Sequence, residues 1–491
     1  MIRLRSNTLD RLPKDIIRPA YARESLGVGI VHIGLGAFHR AHEALYTDDV
    51  LARDPGDWLI TGVSLRSPNV RNALNPQDGL YTLNERGADG DSLRVIGSVK
   101  DVLVAPENPA EVLARMVDPR VRIVSLTVTE KGYLRDPATG RILMDHEDVQ
   151  HDLTHRQSPR TAIGFIVEAL HQRRQNGTPS FTVMSCDNLP ANGEACRQVV
   201  VEFAKALDDA FGAWVEEHVA FPSTMVDRIV PAVTLEDVMR IQRSINTDDQ
   251  GCVVAEPFRQ WVVEDDFPAG RPAWELVGAQ LVDDVEPYED MKLRLLNAAH
   301  SGLAYLGYLG GYETVDAAMT NLDYVAFARA VMEEARPTLR VPQSVDVDAY
   351  LGRLIERFSN PNLKHRTWQI AMDGSQKLPQ RLIETARERL AKGLDVQALA
   401  LAVAGWMRYV AGTDEQGHPI EVCDPLAEHL RVLADAAAGQ PDAMVSKLLS
   451  VEEIFGSDLP KDARFTDAVT AHLLALYAKG AQQTVRAFAR T

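Results

Sequence analysis

The segment GVGIVHIGLG, residues 27–36, constrains the chain more than any other. A continuous apolar run ends there in closely spaced glycines, and AFHRAHEALYTDDVLAR (37–53) follows with helical spacing. A strand that passes through a tight turn into a helix opens a βαβ unit, the building block of a parallel sheet. WLITGVSL (58–65), VRIVSLTVTE (121–130) and FTVMSCDN (181–188) are further continuous apolar runs. Strands buried on both faces read in this way. SPRTAIGFIVEALHQRRQNG (158–177) reads as a helix with a serine-type cap and a glycine stop. YTLNERGADGDSLRVIGSV (81–99) reads as a hairpin around a Gly-Ala-Asp-Gly turn.

After about residue 285 the strand signals fade and long helical patterns take over, among them DVDAYLGRLIERFS, LPQRLIETARERLAKG and the final KDARFTDAVTAHLLALYAKG. A chain of 491 residues exceeds one ordinary core. The expected architecture is α/β: a Rossmann-type doubly wound domain over 1–285, then a mainly α-helical substrate-binding and catalytic domain over 286–491. The boundary falls in the acidic, proline-bearing VDDVEPYED (282–290). LDVQALALAVAGWMRYVAG (394–412) is the longest apolar stretch, but Asp395, Gln397 and Arg408 interrupt it. It predicts a buried helix, not a membrane span.

A formal net charge of −17 argues against nucleic-acid or anionic-membrane partners, which need a basic surface. It leaves open a small anionic substrate, which responds to a local pocket. Cys186, Cys196, Cys252 and Cys423 are scattered without C-x-x-C spacing, and no H-E-x-x-H or comparable ligand cluster appears. Neither disulfides nor a metal are expected. The N-terminus lacks the apolar core of a secretory signal, so the expected location is cytoplasmic.

Gly34-Leu35-Gly36-Ala37-Phe38-His39 begins like the dinucleotide fingerprint G-x-G-x-x-G, in the required context between a strand and a helix. The first glycine permits the tight turn, and the second lets the backbone approach a pyrophosphate at the helix N-terminus. His39 stands where the fingerprint has a small residue. No carboxylate follows the second strand, where the ribose hydroxyls are usually held; Arg66 is there instead. The choice between NAD and NADP is open. Asn188 ends its strand run, where an amide reaches a ligand cleft or simply forms a turn. Asp227 stands beside Arg228, and a plain surface ion pair accounts for both. Between 360 and 381, Lys364, His365, Arg366, Lys377 and Arg381 interleave with Trp368, Ile370 and Met372, which suggests partial burial.

MKLRLLNAAH (291–300) sets a lysine, an asparagine and a histidine among leucines. On a wheel of ~100° per residue, Lys292, His300 and Asn297 fall at 0°, ~80° and ~140°, on the same side as Leu293 and Leu296. Buried polar groups are costly without partners, so the helix either pairs them internally or turns them towards a ligand.

IVHIGLGAFHRAH, SLTVTEKGY, FTVMSCDN, FPSTMVDRIVPA, MKLRLLNAAHSGLAYLGYLGGYE and HRTWQIAMDGSQKLPQR together resemble the mannitol dehydrogenase family of long-chain polyol dehydrogenases. The likeness runs over nearly the whole chain. It implies a zinc-independent, nicotinamide-dependent oxidoreductase in which Lys292 is the general base. Asn188 and Asn297 then hold the reacting oxygen, and His300 orients the substrate. Ile33 to Phe38 with Arg66, Thr129 and Glu130 bind the cofactor, and Asp227, Arg366 and Lys377 bind the substrate. A lysine of ordinary pKa ~10.4 must fall by several units to act near neutrality, which a desolvated site achieves. The expected reaction interconverts fructuronate and mannonate. Oxidation of mannitol or arabinitol is the alternative within the class, and a dinucleotide-binding sensor without turnover is the alternative from another class.

Overall fold

The structure is a computed structural model describing residues 1–88, 90–136, 139–343, 345–437 and 439–490. The chain forms two compact units, Met1–Val285 and Glu286–Thr491.

The strands of the first unit are β1 (Val28–Ile33), β2 (Leu59–Ser64), β3 (Tyr81–Gly87), β4 (Gly90–Ile96), β5 (Val99–Val104) and β6 (Ile123–Leu126). They continue with β7 (Thr182–Ser185), β8 (Thr224–Asp227), β9 (Val253–Ala255), β10 (Gln260–Glu264) and β11 (Gln280–Val282). Five of them form a parallel sheet in the order β5-β2-β1-β6-β7. The chain builds outward from β1 to β2 and β5, then returns to the other side of β1 with β6. That reversal makes the carboxyl ends of β1 and β6 the switch point, where ligands bind such sheets. Two small sheets, β4-β3-β9 and β11-β10-β8, complete the unit. In the β3–β4 hairpin, Asp89 of the expected turn lies outside the described residues.

Apolar runs are continuous because both sheet faces are covered. Val31 and Ile33 pack with Phe165, Ile166 and Leu170 of the helix Ala162–Asn176, whereas Ile30 packs on the opposite face with Leu45 and Tyr46. That helix is capped by the Thr161 hydroxyl on the Gly164 amide at 2.8 Å, not by Ser158, and ends at Gly177 with φ 66°. The segment 37–53, expected as one helix, is two: Ala37–Ala41 and Glu43–Arg53, broken at His42. Arg228 donates to the Ala41 carbonyl, and His42 Nε2 meets the Gln260 carbonyl at 3.0 Å. Arg228, distant in sequence, thus takes the Ala41 carbonyl at the break.

The second unit is helical around Gln397–Val410, whose residues from Ala398 onward are all buried. Gly302 of the helix Ala298–Leu309 lets Ala402 and Phe327 come close, and Gly405 does the same for Leu306. Among the described residues, no helix is long and apolar enough to cross a membrane.

Candidate active site

At the switch point, Gly34 has φ +95° and donates its amide to the Val63 carbonyl at 2.9 Å. A Cβ there would lie 2.2 Å from the Thr127 carbonyl oxygen, so only glycine fits between β1 and the end of β6. Leu35 turns back onto Gly62 of β2. Gly36 is different: a Cβ on it would find only the Gly34 carbonyl, at 3.7 Å, so space is open above the turn. An open cleft of about 610 Å³ at the ends of β2, β5 and β6 is lined by Leu65, Arg66, Ala105, Pro106, Lys131 and Gly132. These residues fit a dinucleotide: a close-approach turn, a cleft beyond the strand ends, and an exposed arginine on its wall.

Asp187 was not singled out from sequence, yet it organises the end of the sheet. Its carboxylate accepts from the Val128 and Thr129 amides at 3.0 and 2.7 Å and from the Tyr133 hydroxyl at 2.8 Å. Burial is the largest influence on this carboxyl and raises its pKa. The contacts fix Thr129, at φ +66°, and Glu130 beside the end of β7, where exposed Asn188 follows. The nearest signal in the sequence is Asn188, which fits a cleft amide or a turn equally.

His39, at the third fingerprint position, stacks on His32 of β1 with ring centroids 3.5 Å apart and planes at 22°. Glu43 Oε2 lies 3.3 Å from His32 Nδ1 and 3.5 Å from His39 Nε2, and all three side chains are buried. Ser125 donates to Glu43 at 2.9 Å, and Thr127 donates to the Gly34 carbonyl at 2.8 Å while meeting His32 Nε2 at 2.8 Å. The donor atoms lie within 4.8 Å of one another, so a ligand-type cluster exists that the spacing of the sequence did not reveal. Nearly parallel rings do not aim two lone pairs at one ion. Ser125 and Thr127 tie Glu43 and His32 to the glycine turn by hydrogen bonds, whereas both His39 ring nitrogens and Glu43 Oε2 are buried without a hydrogen-bond partner.

In the second unit the sequence expectation of a regular helix is corrected. Glu286–Met291 and Ala298–Leu309 are α-helical, but Lys292–Asn297 between them is a π-helix, with the Ala298 amide bonded to Leu293. The 100° wheel does not apply across it. In a π turn the bond spans five residues, so Asn297 stands one wide turn from Lys292, on the same side. Lys292, Asn297 and His300 are 8%, 6% and 6% exposed. Asn297 Nδ2 and His300 Nε2 are buried without a hydrogen-bond partner, so both have bonding capacity to offer a ligand.

His300 stacks on Phe358 at 5.0 Å and meets the His365 ring edge-on at 5.1 Å. Burial, then the positive charge of His365, Arg381, Arg357 and Lys377, holds His300 well below the ordinary histidine range. Burial, then Lys377, lowers His365 to about 4. In the unfolded chain a histidine takes up its proton near 6.5. Below that pH the unfolded state therefore binds more protons, and stability falls as pH drops towards 4. His365 alone accounts for about 3 kcal/mol of that loss at most. Melting temperature is expected to fall between pH 6.5 and 4, and His365→Gln to flatten the slope; an unchanged slope removes His365 from the effect.

The remaining candidates have surroundings of their own. Arg366 is half-exposed, with its guanidinium 2.6 Å from Glu313. Lys377 donates to the Met372 and Ile370 carbonyls. Asp227 and Arg228 are not a surface ion pair: both are buried, and Arg228 binds Glu85 and the Glu256 carbonyl.

A parallel sheet with a glycine turn at its switch point defines the first unit as a Rossmann-type domain. Family models match both units: the mannitol dehydrogenase Rossmann domain over residues 28–276 and the mannitol dehydrogenase C-terminal domain over residues 284–477. The chain belongs to the mannitol dehydrogenase family and is an oxidoreductase. It is 50% identical to the D-mannonate oxidoreductase of Escherichia coli (strain K12), over 96% of this chain and 98% of that protein. It is 40% identical to a mannitol 2-dehydrogenase of Phaeosphaeria nodorum, over 99% of this chain and 86% of that one. Among solved structures, the Pseudomonas fluorescens mannitol 2-dehydrogenase ternary complex with NAD and D-mannitol matches with TM-score 0.92 and 40% identity, over all of both chains.

Proposed function

We propose that this chain is an NAD-dependent dehydrogenase that interconverts D-fructuronate and D-mannonate without a metal. The first unit binds the dinucleotide through Ile33 to Phe38, Arg66, Thr129 and Glu130, and the second carries the substrate chemistry. The observation that carries this reading is the buried set Lys292, Asn297 and His300 on and beside a π turn, with amide and imidazole nitrogens left unpartnered. Identity of 50% to a D-mannonate oxidoreductase supports the acid over a neutral polyol.

NAD, when bound, supplies the hydride acceptor. Lys292 takes the proton of the reacting hydroxyl in oxidation and returns it in reduction. Asn297 offers an amide to the reacting oxygen, which orients it and stabilises charge developing there. His300, kept neutral by its surroundings, donates or accepts a hydrogen bond without adding a charge. Lys377 contacts the remaining hydroxyls of the substrate. A dinucleotide sensor without turnover has no use for a proton acceptor at this place.

The test is NADH formation with mannonate, mannitol, arabinitol and altronate, repeated with NADP. Mannonate with NAD is expected to give the largest kcat/KM. A larger value with mannitol or arabinitol moves the chain to the polyol 2-dehydrogenases, and the absence of turnover with all four overturns the reading.

A further inference from the structure

The histidine cluster beside the glycine turn has fewer hydroxyl hydrogens than its contacts require. Thr127 Oγ1 lies 2.8 Å from the Gly34 carbonyl oxygen and 2.8 Å from His32 Nε2. A carbonyl only accepts, and a hydroxyl has one hydrogen to give, so that hydrogen goes to Gly34. His32 therefore carries a hydrogen on Nε2 and donates it to Thr127. The other ring nitrogen meets the same shortage. Ser125 Oγ lies 2.8 Å from His32 Nδ1 and 2.9 Å from Glu43 Oε1, again with one hydrogen for two contacts. If the serine donates to Glu43, His32 Nδ1 donates to the serine and the ring is an imidazolium. If the serine donates to His32, Glu43 supplies a hydrogen of its own and is a neutral acid. Either way the cluster holds one proton more than a neutral imidazole beside a carboxylate.

The surroundings choose between the two. Glu43 Oε2 lies 3.3 Å from His32 Nδ1 and has no hydrogen-bond partner. With a neutral ring and a neutral acid, two lone-pair acceptors would face each other at that distance. With an imidazolium and a carboxylate, the same approach is an attraction. His39 stacks on His32 and adds no second cation, because burial, then His32, holds it well below the ordinary histidine range. His32, His39 and Glu43 are each 1% exposed or less, so bulk water does not complete the bonding.

We propose that His32 is a buried imidazolium paired with the Glu43 carboxylate, and that through Thr127 it positions the Gly34 peptide for the cofactor. The Gly34 amide is held by the Val63 carbonyl at 2.9 Å, and the Thr127 hydroxyl holds the carbonyl of the same residue. The positioning role rests on the reading that the dinucleotide lies over the glycine turn; the charge state of His32 does not. Nitrogen-15 spectra of protein labelled only at its histidine rings, recorded under the conditions of the binding assay, read that charge state without cofactor. The His32 signals are those missing from His32→Gln or, should that variant not fold, those that Thr127→Val shifts. Hydrogen on both His32 nitrogens is expected, and a bare Nδ1 overturns the ion pair.

NADH titrations of Thr127→Val, His32→Leu and the double variant test the positioning. Losing one hydrogen bond at the turn should raise the Kd in Thr127→Val about three- to tenfold, and His32→Leu should raise it at least as much. If His32 acts through Thr127, His32→Leu costs at least about threefold less affinity when Thr127 is already valine. Losses that simply multiply, or wild-type affinity in Thr127→Val, overturn the positioning role. Should His32→Leu fail to fold, Thr127→Val decides alone. Wild-type NADH affinity in Gly36→Ala defeats instead the reading that the cofactor lies over the turn, and the nitrogen-15 result stands apart from it.

Discussion

A Lys292→Ala variant is expected to keep its melting temperature and its affinity for NADH while kcat falls by about 10²–10⁴-fold, the span that general acid–base catalysis contributes. Lys292 is buried but is the first residue of the π turn, so trimming its side chain leaves the backbone arrangement of Asn297 and His300 in place. Cofactor affinity is the internal control, because the glycine turn of β1 belongs to the other unit. A small primary amine added to the variant should restore part of the turnover if the missing group is a proton acceptor. Turnover equal to wild type in a folded Lys292→Ala protein removes the lysine from the mechanism. A loss confined to KM makes it a binding group instead.

What the sequence disclosed, and what it hid, follows from the range over which each feature is determined. The parallel strands were legible because burial on both faces writes itself into consecutive residues, as in Ile30 and Val31, which serve opposite faces. The glycine turn was legible because a φ of +95° leaves a residue-type signature at Gly34. The polar trio in the second unit was legible because polar groups among leucines break a helical pattern. The break at His42 was hidden: Arg228, which takes the Ala41 carbonyl there, lies 187 residues away. The π turn was equally hidden, since a hydrophobic wheel drawn at 100° per residue presupposes an α-helix. Asp187 left no signal of its own because its amide partners, Val128 and Thr129, come from another strand end. For the same reason basic residues between 360 and 381 could be named but not ranked. Glu313 claims Arg366 from 53 residues away, and Ser301 meets Arg381 from 80.

The two glycines of the turn should respond to alanine in opposite ways. Gly34→Ala forces an L-residue to φ +95°, which costs about 1–2 kcal/mol. It also drives a Cβ to within 2.2 Å of the Thr127 carbonyl oxygen. That neighbour is backbone, so no rotamer change relieves the clash, and overpacking adds about 1–3 kcal/mol. The sum, roughly 2–5 kcal/mol, is expected to lower the melting temperature of the first unit by about 3–8 °C. Gly36→Ala meets nothing nearer than 3.7 Å, and its φ of −86° suits any residue. Its melting temperature should match wild type. Its Cβ nonetheless stands where a pyrophosphate must approach the backbone, so the Kd for NADH should rise at least about tenfold, or ~1.4 kcal/mol. Calorimetry and NADH fluorescence titration on both variants separate the two roles. Wild-type NADH affinity in Gly36→Ala would show that the open space above the turn is not where the dinucleotide lies. Wild-type stability in Gly34→Ala would show that β1 and the end of β6 are not held together by this contact.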